Sequence, residues 1–267
     1  LMRKHSILQL VIVDDDNHVV GLIRLDSLVD GLSEETPNWA VVMAGGIGSR
    51  LRPLTNNVPK PLLSVGGRPI LETIVNNLAE HGLRKIYISV NYKAGMIKDH
   101  FGDGDKFGVQ IRYIEENDKL GTAGALGLIK EKHDAPLLIM NGDLLTKINF
   151  SNLLAYHYEH GGRATVCVRE FDMQVPYGVI ELKGDQVDAV IEKPVNQFLV
   201  NAGIYVIDPS IAQSVRANEY LDMPDLLRTL VNDNHKVAAY PIHEYWIDIG
   251  QTEDFGRAHT EFSSIFS

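Results

Sequence analysis

The stretch from Trp39 to Pro61 constrains the fold of this chain more than any other. An apolar run, Ala40-Val41-Val42-Met43-Ala44, leads into Gly45-Gly46-Ile47-Gly48-Ser49-Arg50, and the segment closes on Pro59-Lys60-Pro61. A short apolar run bounded by glycines reads as a buried strand of a parallel sheet. Glycines at three of four positions allow a tight turn, whose bare N–H groups can cradle phosphate oxygens. Arg50 and Lys60 add fixed positive charge beside it. The pattern predicts a strand that feeds a phosphate-handling loop.

Two familiar phosphate loops do not match. A P-loop requires Gly-x4-Gly-Lys-Ser/Thr, and no lysine follows these glycines directly. The dinucleotide fingerprint Gly-x-Gly-x-x-Gly fails at its third glycine, where Leu51 stands, and that glycine is the one that permits close helix–strand packing.

Downstream, strand and helix patterns alternate. Pro69 opens a helix with apolar residues at Ile70, Ile74, Val75 and Leu78, and Gly82 closes it. Strands are predicted at Lys85–Val90, Val109–Ile114, Pro136–Met140 and Arg163–Glu170, with a second helix over Asn91–Phe101. This alternation predicts an α/β fold, a doubly wound and mainly parallel sheet of Rossmann-like type. Asp143 follows the strand ending in Met140-Asn141-Gly142. An acid at the C-terminal end of a central strand lies where open α/β sheets bind ligands, and suits Mg²⁺, which takes one or two carboxylates with phosphate oxygens and water. Small residues at Gly121-Thr122-Ala123-Gly124 mark a helix start able to lie against a flat ring, and such a start favours negative charge nearby.

Composition narrows the class. The net charge of −10 argues against general nucleic-acid binding, so any anionic substrate needs local positive charge such as Arg50, Arg52 and Lys60. Cys167 is the only cysteine and reads as a small buried hydrophobe. The ten histidines show no zinc-ligand spacing, and His157 and His160 read as surface residues of an amphipathic helix. No apolar run reaches membrane-span length and no signal-peptide core is visible, so a cytoplasmic protein is expected.

The residues Ala44-Gly45-Gly46-Ile47-Gly48-Ser49-Arg50-Leu51-Arg52-Pro53-Leu54-Thr55, with Pro59-Lys60-Pro61 and Gly67-Arg68-Pro69, resemble the signature of sugar-1-phosphate nucleotidyltransferases, the NDP-sugar pyrophosphorylases. The resemblance runs from about Trp39 to the C-terminus. It implies nucleotidyl transfer from an NTP to a sugar 1-phosphate, with Mg²⁺ as cofactor. Arg50 and Lys60 take the catalytic positions, and Ala44, Gly45, Gly46, Gly48, Gly121, Thr122 and Ala123 the nucleotide-binding ones. Gly178, Glu192, Lys193, Asn201 and Gly203 correspond to the sugar-phosphate site, and Asp143 and Asp248 to the metal ligands. The segment Tyr245-Trp246-Ile247-Asp248-Ile249-Gly250 is similar to the family's Trp-x-Asp-x-Gly, with Gln251-Thr252 in place of Thr-Pro. Asp222 is expected only to cap the helix that follows it. The run of motifs looks most like guanylyltransferases for mannose 1-phosphate, though thymidylyl and uridylyl branches share most of these residues.

Rival readings are weaker. A non-catalytic sugar-nucleotide-binding subunit would be expected to lose the arginine, the lysine or the metal acid, and all are present. A glycosyltransferase would want Asp-x-Asp where Asn141-Gly142-Asp143 has one acid. The implied partners are the two substrates, neither nucleic acid nor membrane, with homo-oligomer formation left open.

Residues 1–37 form a separate segment from the transferase domain at 38–267. Strands at Leu8–Val13 and His18–Arg24 flank Asp14-Asp15-Asp16-Asn17, and a short helix is expected from Asp26 to Asp30. Asp14, Gly21 and the apolar positions resemble the second half of a CBS domain. Arg24 and Ser27 stand where that family has Thr and Asp, so its adenosyl-nucleotide contacts do not carry over. A whole CBS motif is longer, and the chain is expected to begin inside one.

Overall fold

The computed structural model describes residues 9–13, 18–24, 35–160 and 162–266. β1 (Gln9–Val13) and β2 (Val19–Arg24) pair antiparallel, as the strand patterns predict. The turn at 14–17 and the helix expected at Asp26–Asp30 lie outside the described residues, as does Ser27.

The main body starts at β3 (Trp39–Met43), followed by the small ladder β4 (Ser64–Val65) and β5 (Arg68–Pro69) and by α1 (Ile70–Glu80). Pro69 is the residue just before α1, and Gly82 (φ 81°) ends the helix by donating its N–H to the Ala79 carbonyl. β6 (Lys85–Val90) spans the residues expected. α2 (Ala94–Phe101) begins three residues later than the pattern suggested, because Lys93 takes a left-handed conformation (φ 54°). Then come β7 (Gln110–Glu115), the single turn α3 (Gly121–Gly124), β8 (Leu137–Asn141), β9 (Leu144–Thr146) and α4 (Phe150–His160).

The second half contains β10 (Ala164–Gln174), the hairpin β11 (Val179–Lys183) and β12 (Gln186–Ile191), and β13 (Val195–Ile207). It ends with α5 (Pro209–Ser214), α6 (Met223–Asn232), β14 (Val237–Pro241), β15 (Trp246–Asp248) and α7 (Thr252–Ile265).

Seven strands form one sheet in the order β14-β10-β13-β8-β3-β6-β7. β13 runs antiparallel to both neighbours, and every other pairing in this sheet is parallel. The expected doubly wound, mainly parallel architecture is present. Alternate strand residues face opposite layers. Val42, Ile88, Met140 and Val206 pack under α1, α2, α4 and α7, while Val41, Tyr87, Ile139 and Tyr205 pack under α5 and α6. Ala40, Val41 and Val42 are fully buried because β3 is covered on both faces, which is why its sequence is apolar without alternation.

Two expectations about single side chains divide. Cys167 is fully buried, as predicted, and burial pushes its thiol pKa up. His157, expected on the surface, is buried, with Nδ1 2.9 Å from Thr165 Oγ1. At helical spacing it completes the apolar stripe of Phe150, Leu153 and Leu154, so it faces the sheet, where Thr165 of β10 supplies its polar partner.

Candidate active site

The loop after β3 is held from both sides. Ala44 N–H donates to the Ser89 carbonyl (3.0 Å) at the end of β6, and Gly142 N–H donates to the Met43 carbonyl (2.9 Å) from the end of β8. The glycines serve different ends. A side chain at Gly48 (φ 67°) would lie 2.9 Å from Lys60 Cβ and 3.0 Å from Thr55 Cγ2, so packing requires glycine there. A Cβ on Gly46 would meet open space, so the lack of a side chain there leaves room for something outside the chain. Leu51 is in the core, occupying space that a dinucleotide fingerprint would leave to glycine.

Arg50 is exposed at the cleft edge, and a Cβ on Gly250 would lie 3.6 Å from its Nη1. Lys60 is buried and its ammonium is ion-paired with Asp143. Asp143 and Asp248 are brought together by strand pairing: β15 runs antiparallel to β9, and Ile249 N–H donates to the Asp143 carbonyl (3.0 Å). Although Asp248 opens onto the cleft, protein atoms crowd its other side. Desolvation and the charge of Asp143 raise its pKa above the ordinary carboxylate value, with Lys60 and Arg50 opposing. Among the described residues no group of three or more His, Cys, Asp or Glu side chains could hold a metal. The donor set of Asp143 and Asp248 nevertheless fits a cation completed by substrate phosphate and water, and a divalent ion would relieve the like-charge repulsion that raises Asp248.

The segment at Gly121 behaves differently from expectation. α3 is one turn long, and three of its N–H groups are already used: Thr122 N–H donates to Asp222 Oδ1 (3.0 Å), and Ala123 and Gly124 N–H both donate to the Leu221 carbonyl (2.9 and 3.0 Å). The negative charge that this helix start favours is supplied by the chain itself. Asp222 accordingly does not cap α6 with its side chain, as the sequence suggested; it holds Thr122 instead. Hydrogen bonds from Tyr220 and Thr122 keep its carboxyl below the usual range. Gly121 (φ 78°) and Gly124 are packing glycines, since a Cβ at either would lie about 2.5–2.6 Å from the carbonyl oxygens of Leu221 or Glu219.

These elements enclose two adjoining cavities. One, of about 500 Å³, is lined by the glycine loop, Arg50, Lys60, Gly121 and Asp143. The other, of about 390 Å³, is lined by Asn201, Gly203, Trp246 and Asp225. Thr122, Asn141 and Asp248 border both. Gly203 (φ 71°) leaves space for Asn141, because a Cβ there would lie 2.6 Å from Asn141 Nδ2.

The structure therefore gathers Gly45, Gly46, Gly48, Arg50, Lys60, Gly121, Thr122, Asp143 and Asp248 around the larger cavity, with Asn201 and Gly203 at the smaller. Ala44 and Ala123 are buried and line neither cavity. Small residues in a motif can serve the layer beneath the ligand surface as well as that surface. Gly178, Glu192 and Lys193 lie on the exposed arm formed by β10 to β13 and also line neither cavity; a Cβ on Gly178 would lie 3.0 Å from Glu192 Oε2.

Sequence reasoning missed Glu116. It lines the larger cavity beside Gly45, where an added Cβ would sit 3.0 Å from Glu116 Oε1. Ser89 hydroxyl donates to Oε1, and Leu120 N–H donates to Oε2 (3.4 Å), fixing the carboxylate with lone pairs to spare. The signal that marked Asp143, an acid just past the end of a parallel strand, was present here too, at the end of β7.

Comparison with known proteins agrees with this geometry. Residues 39–264 match the family model described as nucleotidyl transferase. A mannose-1-phosphate guanyltransferase of Pichia angusta is 35% identical over 225 residues, covering 80% of this chain and 61% of that protein. One from Aspergillus fumigatus is 32% identical over 226 residues, covering 81% and 62%. The chain thus spans about 62% of the length of the curated relatives it matches. Among solved structures, HddC from Yersinia pseudotuberculosis superposes with a TM-score of 0.67 at 26% identity, covering 84% of this chain and 99% of that one. The same protein complexed with GMP-PN gives a TM-score of 0.65 at 25% identity, with the same coverage.

Proposed function

The chain belongs to the nucleotidyl transferase family, and from that premise we propose that it transfers a nucleotidyl group from an NTP to a sugar 1-phosphate, forming an NDP-sugar and pyrophosphate. The observation that carries this reading is the pair of adjoining cavities sharing Thr122, Asn141 and Asp248. A cationic, glycine-lined cavity suits a triphosphate. A neighbouring cavity edged by Asn201, Asp225 and Trp246 suits a polyhydroxylated ring, which presents hydroxyls to polar groups and an apolar face to the indole.

In this mechanism a sugar-phosphate oxygen attacks the α-phosphorus in line. The bond to the pyrophosphate oxygen breaks, and its electron pair leaves with pyrophosphate. The attacking phosphate is already ionised at neutral pH, so no protein nucleophile is needed, and the chain must align two anions and offset their repulsion. Arg50, at the cleft edge, stabilises charge on the departing pyrophosphate. Lys60, buried and held in place by Asp143, keeps a fixed ammonium at the junction. Asp143 and Asp248 would hold Mg²⁺, which when bound supplies Lewis-acid neutralisation of the phosphates. Glu192 and Lys193, which the family resemblance gives to the acceptor, lie on the exposed arm outside both cavities.

Glu116 favours guanine among the bases. Its carboxylate only accepts hydrogen bonds, and guanine offers adjacent N1–H and N2–H₂ donors to such a pair of oxygens. Uracil and thymine offer one ring N–H. Similarity to mannose-1-phosphate guanyltransferases supports the same choice, with mannose 1-phosphate as acceptor. A cytoplasmic location suits these substrates, and no described helix is long and apolar enough to cross a membrane. The β1–β2 hairpin, with its CBS-like pattern, belongs to a regulatory segment in the same reading.

Pyrophosphate release measured across a panel of NTPs and hexose 1-phosphates tests the proposal. Release that needs both substrates, and is fastest with GTP and mannose 1-phosphate, is expected. Release without the sugar phosphate, or none with any pair, would overturn it.

A further inference from the structure

Three tyrosines among the described residues are more than half exposed: Tyr158, Tyr177 and Tyr220. Of these only Tyr220 lines either cavity of the site, and it belongs to the larger one. It lies outside every motif that marks the site in the sequence.

The backbone fixes where it stands. The strip 219–222 runs beside the start of α3: Leu221 N–H donates to the Leu120 carbonyl (2.9 Å), and the Leu221 carbonyl accepts from Ala123 and Gly124 N–H. A Cβ at Gly121 or Gly124 would strike the carbonyl oxygens of Leu221 or Glu219, so the two segments are in close contact and the strip has little room to shift. Leu120 N–H in turn donates to Glu116 Oε2 (3.4 Å). Tyr220, next to Leu221, therefore shares its edge of the cavity with Leu120 and Gly121, beside Glu116.

The side chain is fixed as well. Its hydroxyl donates to Asp222 Oδ2 (2.5 Å), while Asp222 Oδ1 accepts from Thr122. The same carboxylate pushes the pKa of the hydroxyl up, which keeps it a donor at neutral pH. With the hydroxyl anchored, the ring has little conformational freedom left to lose when a ligand arrives. No ring or cation of the described residues stacks on it. A held aromatic ring with free faces, on the rim of a cavity, is a platform for another flat ring.

We propose that Tyr220 is a nucleotide-binding residue whose ring stacks on the base of the NTP. Its role rests on the larger cavity being the nucleotide site, as proposed above. The ring supplies affinity and Glu116 supplies choice. Every base has a π-face, so stacking tolerates any of them, whereas a carboxylate pair accepts only from bases that present donors.

Isothermal titration calorimetry of the full chain with Mg²⁺ and no sugar phosphate tests the assignment. GTP, ATP, UTP and dTTP are titrated into the wild type, and the tightest binder is carried to the variants. Tripolyphosphate serves as a ligand without base or ribose. Tyr220→Ala should weaken the nucleotide by roughly fivefold to a hundredfold, the range for losing one base–aromatic stack, and leave tripolyphosphate affinity unchanged. Tyr220→Phe keeps the ring and should retain most of the nucleotide affinity. Both variants should give the wild-type far-UV circular dichroism, because the side chain is 65% exposed. Unchanged nucleotide affinity in Tyr220→Ala overturns the proposal. So does an equal loss in Tyr220→Phe, which would assign the effect to the bond with Asp222, or an equal loss of tripolyphosphate, which would mean a distorted cavity. A wild type that binds none of the four nucleotides overturns the nucleotide-site reading itself, and the role of Tyr220 with it.

Discussion

Asp222 accepts hydrogen bonds from both the backbone N–H (3.0 Å) and the hydroxyl (3.3 Å) of Thr122, a residue 100 positions earlier in the chain. Thr122 Oγ1 in turn accepts from Met223 N–H (2.8 Å), so the start of α3 and the start of α6 are locked together. Both cavities are bordered by this junction. Asp222→Ala should therefore loosen the shared border of the two cavities as well as the fold. Losing hydrogen bonds to a partly exposed carboxylate costs about 1–2 kcal/mol, a fall in melting temperature of about 2–8 °C for a domain of this size. KM for the nucleotide should rise more than kcat falls. Asp222→Asn keeps the Oδ1 acceptor and should restore most of both losses, measured by thermal melting and pyrophosphate release.

Lys60 and Arg50 are expected to separate by stability. Each replacement removes a fixed charge from the reaction site, and kcat should fall on the order of a hundredfold or more. Lys60→Ala also strands Asp143 beside Asp248 in a crowded site, so its melting temperature should fall. Arg50→Ala should melt as the wild type does, since Arg50 is exposed at the cleft edge. Pyrophosphate-release kinetics beside calorimetry distinguish the two.

Glu116→Gln tests the base. The amide replaces one acceptor oxygen with a donor, and Ser89 must re-pair with what remains. Discrimination of a base by a bidentate pair is worth about 1–3 kcal/mol. The ratio of kcat/KM for GTP over the other NTPs should drop by about tenfold to a hundredfold. An unchanged ratio would remove Glu116 from base recognition.

His157 makes stability depend on pH. Burial lowers its pKa below the ordinary value, with Asp208 opposing. The unfolded chain takes up the proton first, so the folded state is favoured fully above the unfolded histidine pKa of about 6.5 and loses stability as pH falls below it. Melting temperature should decline between neutral pH and about pH 5, and His157→Gln should flatten the part of that decline due to this residue.

The mainly parallel sheet was legible in the sequence, and so were the loop and the strand end around which the larger cavity forms. Period-two and helical patterns are local, so β3, β6 and α1 were legible, and the strand-end rule located Asp143. A long motif with fixed spacing did the same for Gly45, Gly46, Gly48, Arg50 and Lys60, which all reach one cavity. Only the tertiary structure decided what those residues touch. The pairing of β15 with β9 makes neighbours of Asp143 and Asp248, and the packing of 219–222 against α3 takes the N–H groups of Thr122, Ala123 and Gly124. Ala44 and Ala123 fell behind the cavity surface, and Glu116 came into the cleft. Each of these depends on contacts between segments far apart in the chain. Local periodicity records which way a side chain faces along its own element, and carries no information about what the fold will bring against it.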